Sequence, residues 1–248
     1  GGNSYIKAGG EAGSAVISLG TEYVDGKSFN ARIYRGGTQQ VEAGGAADGS
    51  TVSLFGVQRV ASGGQASNSR IVGGTQIVGG TVSGTELAAG LQNIEAGGIA
   101  ADTKITGGIQ TIFSGGVARN TNASGGLIVL HAGGGMQGTS KIADGILNVV
   151  GENSIPDLEL ENALVTVTRE PGFSRLRIDR LDGTGVFSIN SNLAQSEADH
   201  LDILGGTGNF GLIIHDYSAE GNLPAEFKII DESSAAADDF YLGGNAVD

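Results

Sequence analysis

Cysteine and tryptophan are missing from this chain, and its 248 residues include only three prolines, one methionine and three histidines. Without cysteine there is no disulfide, no thiolate metal site and no cysteine nucleophile. Such a chain also crosses an oxidising compartment without becoming cross-linked. Three prolines exclude collagen and a proline-rich linker. No run of about 18 apolar residues exists, so no segment is expected to cross a membrane as a helix. No leader peptide is visible either; the chain starts inside a glycine-rich pattern and reads as an excised fragment. His131, His200 and His215 stand at no spacing that pairs a carboxylate with a nucleophile. Neither catalysis nor metal binding is expected at any of them.

What is abundant is glycine, 45 residues, about two and a half times average usage. Hydrophobic residues make up 39%, enough for a core, so disorder is not expected. Residues 1–150 hold 9 basic and 9 acidic residues; residues 151–248 hold 5 and 18, which places the whole net charge of −13 in the second part. The glycine pairs thin out at the same point. The expected organisation is therefore a repeat region, 1–150, and a distinct C-terminal region, 151–248. Neither is basic, which argues against a nucleic-acid partner.

The repeat explains the glycines. Gly2, Gly20, Gly37, Gly56, Gly74, Gly90, Gly108, Gly126 and Gly145 each precede a short strand-like run and are 16 to 19 residues apart. The fourth residue of each run is aliphatic: Ile6, Val24, Val41, Val60, Val78, Ile94, Ile112, Leu130 and Val149. The second is glutamine in five consecutive repeats: Gln39, Gln58, Gln76, Gln92 and Gln110. About ten residues later runs another column, Val16, Ile33, Val52, Ile71, Leu87, Ile105, Ala123 and Ile142, with Ser or Thr two residues earlier in seven of eight cases. This pattern predicts two short strands per repeat, with glycine at the corners. Strands so short cannot bury a face alone, but stacked like on like they can. The predicted fold is all-β, a right-handed parallel β-helix of about 18–19 residues per short turn and eight to nine such turns, followed by wider turns and a C-terminal β cap that ends in antiparallel strands. Small residues at Ala12, Ala47, Ala66, Ala100 and Ala118 suit a narrow interior beside a corner.

Parity sorts the side chains. The glutamines share the inward parity of the aliphatic column, so a stacked structural ladder is expected of them. Residues one and three before the second column point outward: Arg32, Thr51, Arg70, Glu86, Lys104, Asn122 and Lys141, and Asn30, Asn68, Asp102 and Asn120. They form a mixed-charge polar ladder, the candidate self-association surface. Leu91, Ile109, Leu127, Val129 and Ile146 make a second, apolar outward set, either a contact stripe or a face covered by another part of the chain.

Other sites are disfavoured. "GGTGNF" and "GGGMQG" lack the aspartates and nine-residue period of calcium-binding repeats. "GGTGNFG" has no following Lys-Ser/Thr or helix, so it is not a phosphate loop. Some β-helices are polysaccharide lyases, but Asp25, Asp48, Asp102 and Asp144 fall at unlike repeat positions and do not stack. No enzyme activity and no cofactor are expected.

In the C-terminal region, Leu181, Gly183, Gly185 and Phe187, then Asp199, Leu201 and Ile203, then Gly205, Gly206 and Gly208 follow one another in order. This succession resembles the passenger-domain cap, or autochaperone region, of Gram-negative type V autotransporters. "FYLGGNAVD" (240–248) resembles the segment before that family's membrane barrel. The Gly-Gly-x-Gln repeats are similar to its self-associating adhesin branch, of the AIDA-I, TibA and antigen 43 type. The resemblance implies display on the outer surface of a Gram-negative bacterium, with no membrane insertion by this part of the chain. It implies self-association with identical passengers on neighbouring cells, producing aggregation and biofilm, contact with a host cell surface, and a cap that assists folding. It further implies modification by a heptosyltransferase, with Ser62, Ser67 and Ser114 as candidate acceptors. An inert stalk for an upstream functional domain remains the alternative.

Overall fold

The computed structural model describes residues 2–168, 172–218, 228–233 and 236–242. One coil serves for all. A strand, Thr38–Val41, is followed by a turn at 42–45, a second strand, Ala46–Asp48, a corner at Gly49, and a third strand, Thr51–Ser53. The chain then enters the next coil at Val57–Val60. Successive coils stack in parallel and keep the inward columns in register: Val41 pairs with Val60 and Val60 with Val78, while Ala47 pairs with Ala66 and Ala66 with Val82. Register shifts fall at the corners, as between Val72 and Thr75. The molecule is a parallel β-solenoid of about ten turns, as the repeat predicted. Each coil has three strands rather than two. The middle strand is only three residues long and presents a single residue inward, so it shows no alternation in the sequence; the alanine column read as a corner filler is its inner face.

In the turns that end at Gly45, Gly64, Gly98, Gly116 and Gly134, each glycine of the pair has a separate reason. In the turn at 42–45, the Gly45 N–H donates to the Glu42 carbonyl at 2.9 Å, and Gly44 has φ +85°. That is the third position of a type II turn, where a side chain is disfavoured. Gly45 has ordinary backbone angles, but a Cβ there would lie 1.9 Å from the Val24 carbonyl oxygen of the coil below. The first glycine supplies the bend and the second the close approach.

The interior carries both aliphatic columns fully buried, from Val24 to Val149 and from Ile33 to Ile142. Each large side chain withdrawn from water contributes about 1.5–3 kcal/mol. Between them runs a polar chain. Gln39 donates to Glu22 at 2.9 Å, Gln58 to Gln39 at 2.8 Å, Gln76 to Gln58 at 2.8 Å, Gln92 to Gln76 at 2.7 Å and Gln110 to Gln92 at 2.7 Å. The Ser/Thr column faces it across the coil: Ser50 donates to Gln39 and Ser69 to Gln58, both at 2.9 Å, and Thr85, Thr103 and Thr121 donate to Gln76, Gln92 and Gln110 at 3.3 to 3.5 Å. Glu22, buried with the rest, ends the row as an acceptor for Gln39 and Ser28. The glutamine column stops at Ile128, but the hydroxyl column runs one coil further. The Ser140 hydroxyl is consequently buried without a partner. An unsatisfied buried hydroxyl costs about 1–3 kcal/mol, so Ser140→Ala should raise stability by about 1 kcal/mol, read as a higher midpoint in urea unfolding. A lower midpoint would show that the hydroxyl is satisfied in solution.

Beyond residue 151 the coils widen. Asp157–Thr168 is a single strand that pairs with both Thr139–Ala143 and Ile146–Val150, bending at Asn162, where φ is +52°. Leu181–Asn192, Gly206–Asp216 and Ala236–Leu242 follow it in parallel. The expected antiparallel ending is thereby corrected: among the described residues the region continues the parallel stack, and antiparallel pairing is confined to Ser191↔Ala198 and Asn192↔Glu197. Turn residues signal where a strand ends, not which way its successor runs. A second parallel sheet stacks Asn153–Ile155, Arg175–Ile178, His200–Ile203 and Ile230–Glu232 on the opposite wall. Phe187, Phe210 and Phe240 fill the wider interior, with ring centroids 5.7 and 5.5 Å apart along the series. Residues 243–248 of "FYLGGNAVD" lie outside the described residues.

Candidate functional site

In the third strand of each coil the residue before the buried one faces outward, and the pairing aligns these residues in one row. The register runs Arg32, Thr51, Arg70, Glu86, Lys104, Asn122 and Lys141, and continues into the wide coils as Glu159, Asp182 and Thr207. Neighbouring coils place these positions about 4.8 Å apart. Neighbouring charges meet within the row: Arg70 lies 3.2 Å from Glu86, and Lys141 lies 2.5 Å from Glu159. Arg180 pairs with Asp182 at 2.6 Å beside them. Exposed pairs of this kind are worth about 0.2–1 kcal/mol each, so they are easily exchanged for other partners. Where the row enters the wide coils, it borders an open groove of about 750 Å³ lined by Asn122, Lys141, Glu159, Arg180 and Asp182 among others.

Asn30, Asn68, Asp102 and Asn120 do not share this row. They occupy the corner between the second and third strands with φ between 50° and 54°. Asparagine and aspartate tolerate that left-handed conformation better than most residues. Their side chains also bond along the axis: Asn68 donates to Asp48 at 2.8 Å and Asn120 to Asp102 at 3.2 Å. They are exposed, but backbone geometry accounts for their identity. Parity alone could not separate a left-handed corner from an outward strand position.

The apolar set divides as well. Leu91, Ile109, Leu127, Ile146 and Leu164 form one in-register outward row on the first strands. Val129 lies in the neighbouring row with Thr111 and Asn148. Leu91 and Ile146 are exposed; Ile109 and Leu127 are half-buried.

Of the serines, Ser62 and Ser114 are exposed at the same place in equivalent turns, where Gly64 and Gly116 donate back to Ala61 and Phe113. Ser67 differs. It is half-buried, and its hydroxyl donates to Asp48 at 2.6 Å. The hydrogen bonds from Ser67 and then Asn68 hold the Asp48 carboxyl below its ordinary range. A lowered folded pKa stabilises above the unfolded value and is lost as pH falls through the folded one. Ser67→Ala should move the Asp48 titration back up towards the ordinary carboxylate range; an NMR titration that leaves it in place would mean that Asn68 suffices.

The histidines lie apart. His131 stacks on Phe113 with centroids 5.2 Å apart, and His215 lies 3.0 Å from the Ser188 hydroxyl. His200 faces outward beside two carboxylates, whereas its neighbour Asp199 is fully buried, as strand alternation requires. Asp199 accepts from the Ser174 N–H at 2.8 Å, the Asn190 N–H at 2.8 Å and the Asn190 side chain at 2.7 Å. The sequence offered this aspartate only as part of a motif; its partners come from elsewhere on the coil.

A stack of short parallel coils, continued by wider ones and lined outside by in-register rows, defines a parallel β-solenoid. Residues 155–248 match the family model of Pertactin, an autotransporter passenger family. Over 98% of this chain and 93% of the other, the structure is similar to that of a TibC-catalysed, hyper-glycosylated TibA fragment, with a TM-score of 0.63 and 21% identity. At that identity the likeness bears on the fold. No curated protein sequence matches the chain.

Proposed function

We propose that this chain is part of a non-enzymatic adhesin, displayed from the outer membrane of a Gram-negative bacterium, which associates with its own copies on neighbouring cells and adheres to host surfaces. The observation that carries this reading is the charge order on the third-strand row. From Arg70 to Glu159 it reads plus, minus, plus, neutral, plus, minus. Turned end for end about a point between Lys104 and Asn122, the four outer members of the series complement one another, while Lys104 meets the neutral Asn122. Arg70 then opposes Glu159 of a second copy, and Glu86 opposes Lys141. That is the self-complementarity a two-fold contact requires. Each contact is weak, but many displayed copies acting together hold cells firmly. Reversing Arg70 and Lys104 together should reduce clumping of cells that display the chain; unchanged clumping at normal display would remove the row from this role.

The wide C-terminal coils would fold first and template the stack, since each coil of a solenoid is stabilised by its neighbour. Glycosylation would fall on Ser62 and Ser114, whose turns project from one edge, before Ser67, whose hydroxyl is engaged. The pairing of Arg70 with Glu86 inside one chain favours a second reading, an inert stalk with a satisfied surface. A stalk would leave displayed cells dispersed when no other part of the passenger is present.

A further inference from the structure

The outer face of the second parallel sheet gathers a donor set that the mechanism of adhesion does not use. The His200 Nε2 lies 2.8 Å from Asp231 Oδ2 and 3.3 Å from Asp202 Oδ1, and the three ligand atoms all fall within 4.8 Å of one another. The carboxylates are oriented from behind. Asp202 gives its other oxygen, Oδ2, to Arg175 at 2.8 Å, and Asp231 gives Oδ1 to Lys228. One oxygen of each carboxylate is thus anchored by a cation and the other is turned towards the imidazole. Four-coordinate zinc, with bonds of about 2.0–2.2 Å, places its ligand atoms about 3.4 Å apart. The two imidazole–carboxylate distances, 2.8 and 3.3 Å, lie at or somewhat under that spacing before any ion enters. An ion would replace the contact between His200 and Asp231, while the ion pairs to Arg175 and Lys228 need not break. Outer partners that fix ligand orientation in this way are a regular feature of metal sites.

We propose that His200, Asp202 and Asp231 form a transition-metal site that ties the His200–Ile203 coil to the Ile230–Glu232 coil. An imidazole with two carboxylates selects zinc or a similar ion over calcium or magnesium, which take oxygen donors. An open depression of about 530 Å³, lined by Ser174, Arg175, Glu197 and His200 among others, adjoins the trio on the His200 side. Arg175 and Lys228 already neutralise the two carboxylates, so the ion is held reversibly rather than permanently.

The test uses cobalt as a spectroscopic probe on the whole chain. Co²⁺ should give the intense visible absorption of a four-coordinate centre, abolished by Zn²⁺ and untouched by Ca²⁺. His200→Gln keeps a donor towards Asp231 but removes the nitrogen ligand, and should weaken Co²⁺ binding at least tenfold; Asp231→Asn should do the same. Only the weak absorption of hydrated cobalt in the wild-type chain, or equal binding by both variants, would overturn the site.

Discussion

Replacing Asp199 by alanine is expected to lower the stability of the wide coils by about 3–5 kcal/mol, the range for breaking a buried, charge-assisted network. The carboxylate is fully buried and accepts from the Ser174 N–H, the Asn190 N–H and the Asn190 amide. Alanine leaves the two backbone N–H groups without a partner in a place water does not reach, and the Asn190 amide with the Val167 carbonyl alone. Asparagine is no remedy, because its own NH₂ would face donors. The Asn190 side chain also donates to the Val167 carbonyl at 2.7 Å, so the network spans three successive passes of the chain. The loss should appear as faster amide exchange in Arg175–Ile178, Leu181–Asn192 and His200–Ile203, while the glycine-rich coils keep their protection. Exchange is the right measurement because a solenoid need not unfold in one step. Unchanged protection in those strands would contradict the role given to Asp199.

The second large effect lies in the internal amide row. Gln76 accepts from Gln92 at 2.7 Å and from Thr85 at 3.3 Å, and donates to Gln58 at 2.8 Å. Gln76→Leu strands two buried donors and should cost about 2–4 kcal/mol. The same column is aliphatic in later coils, at Ile128, Leu147 and Val165, all buried. An apolar interior at this position is therefore compatible with the fold. Exchanging every glutamine from Gln39 to Gln110, together with Glu22, Ser28 and the facing hydroxyls, should cost far less per coil than the single change, because no donor is left unpaired. Thermal midpoints of the single and combined variants would check this; a neutral Gln76→Leu would mean that the row is not cooperative.

Most of this architecture was legible because a solenoid writes its cross-section repeatedly. Val41, Val60 and Val78 announced a buried column, and Gln58 and Gln76 an internal ladder, since stacking makes like residues neighbours. The charge row was legible for the same reason, since Arg70, Glu86 and Lys104 hold one repeat position. What stayed hidden lacked repetition or alternation. Ala47 and Ala66 recur with the coil, but their strands have three residues and one inward side chain, so no alternation marks them as strands. Asn68 and Asp102 look outward by parity, and only their positive φ separates them from the row. In the wide coils the repeat length changes, so nothing in the sequence brings Asp231 to His200, or Ser174 to Asp199.

The most direct measurement of the central claim is a charge-swap mixing experiment on cells displaying the chain. Arg70→Glu alone sets like charges against Glu159 at both ends of the two-fold contact, and Glu159→Arg does so against Arg70. Each population should stay dispersed. Mixed, every Arg70→Glu copy meets a Glu159→Arg copy: the swapped pair matches at one end and the original pair at the other. The mixture should therefore clump, with both variants in every aggregate, and added salt should disperse it because exposed charges are screened over about 8 Å at physiological ionic strength. Clumping by either variant alone at the wild-type level, or a mixture as dispersed as its components at normal display, would contradict self-association through this face.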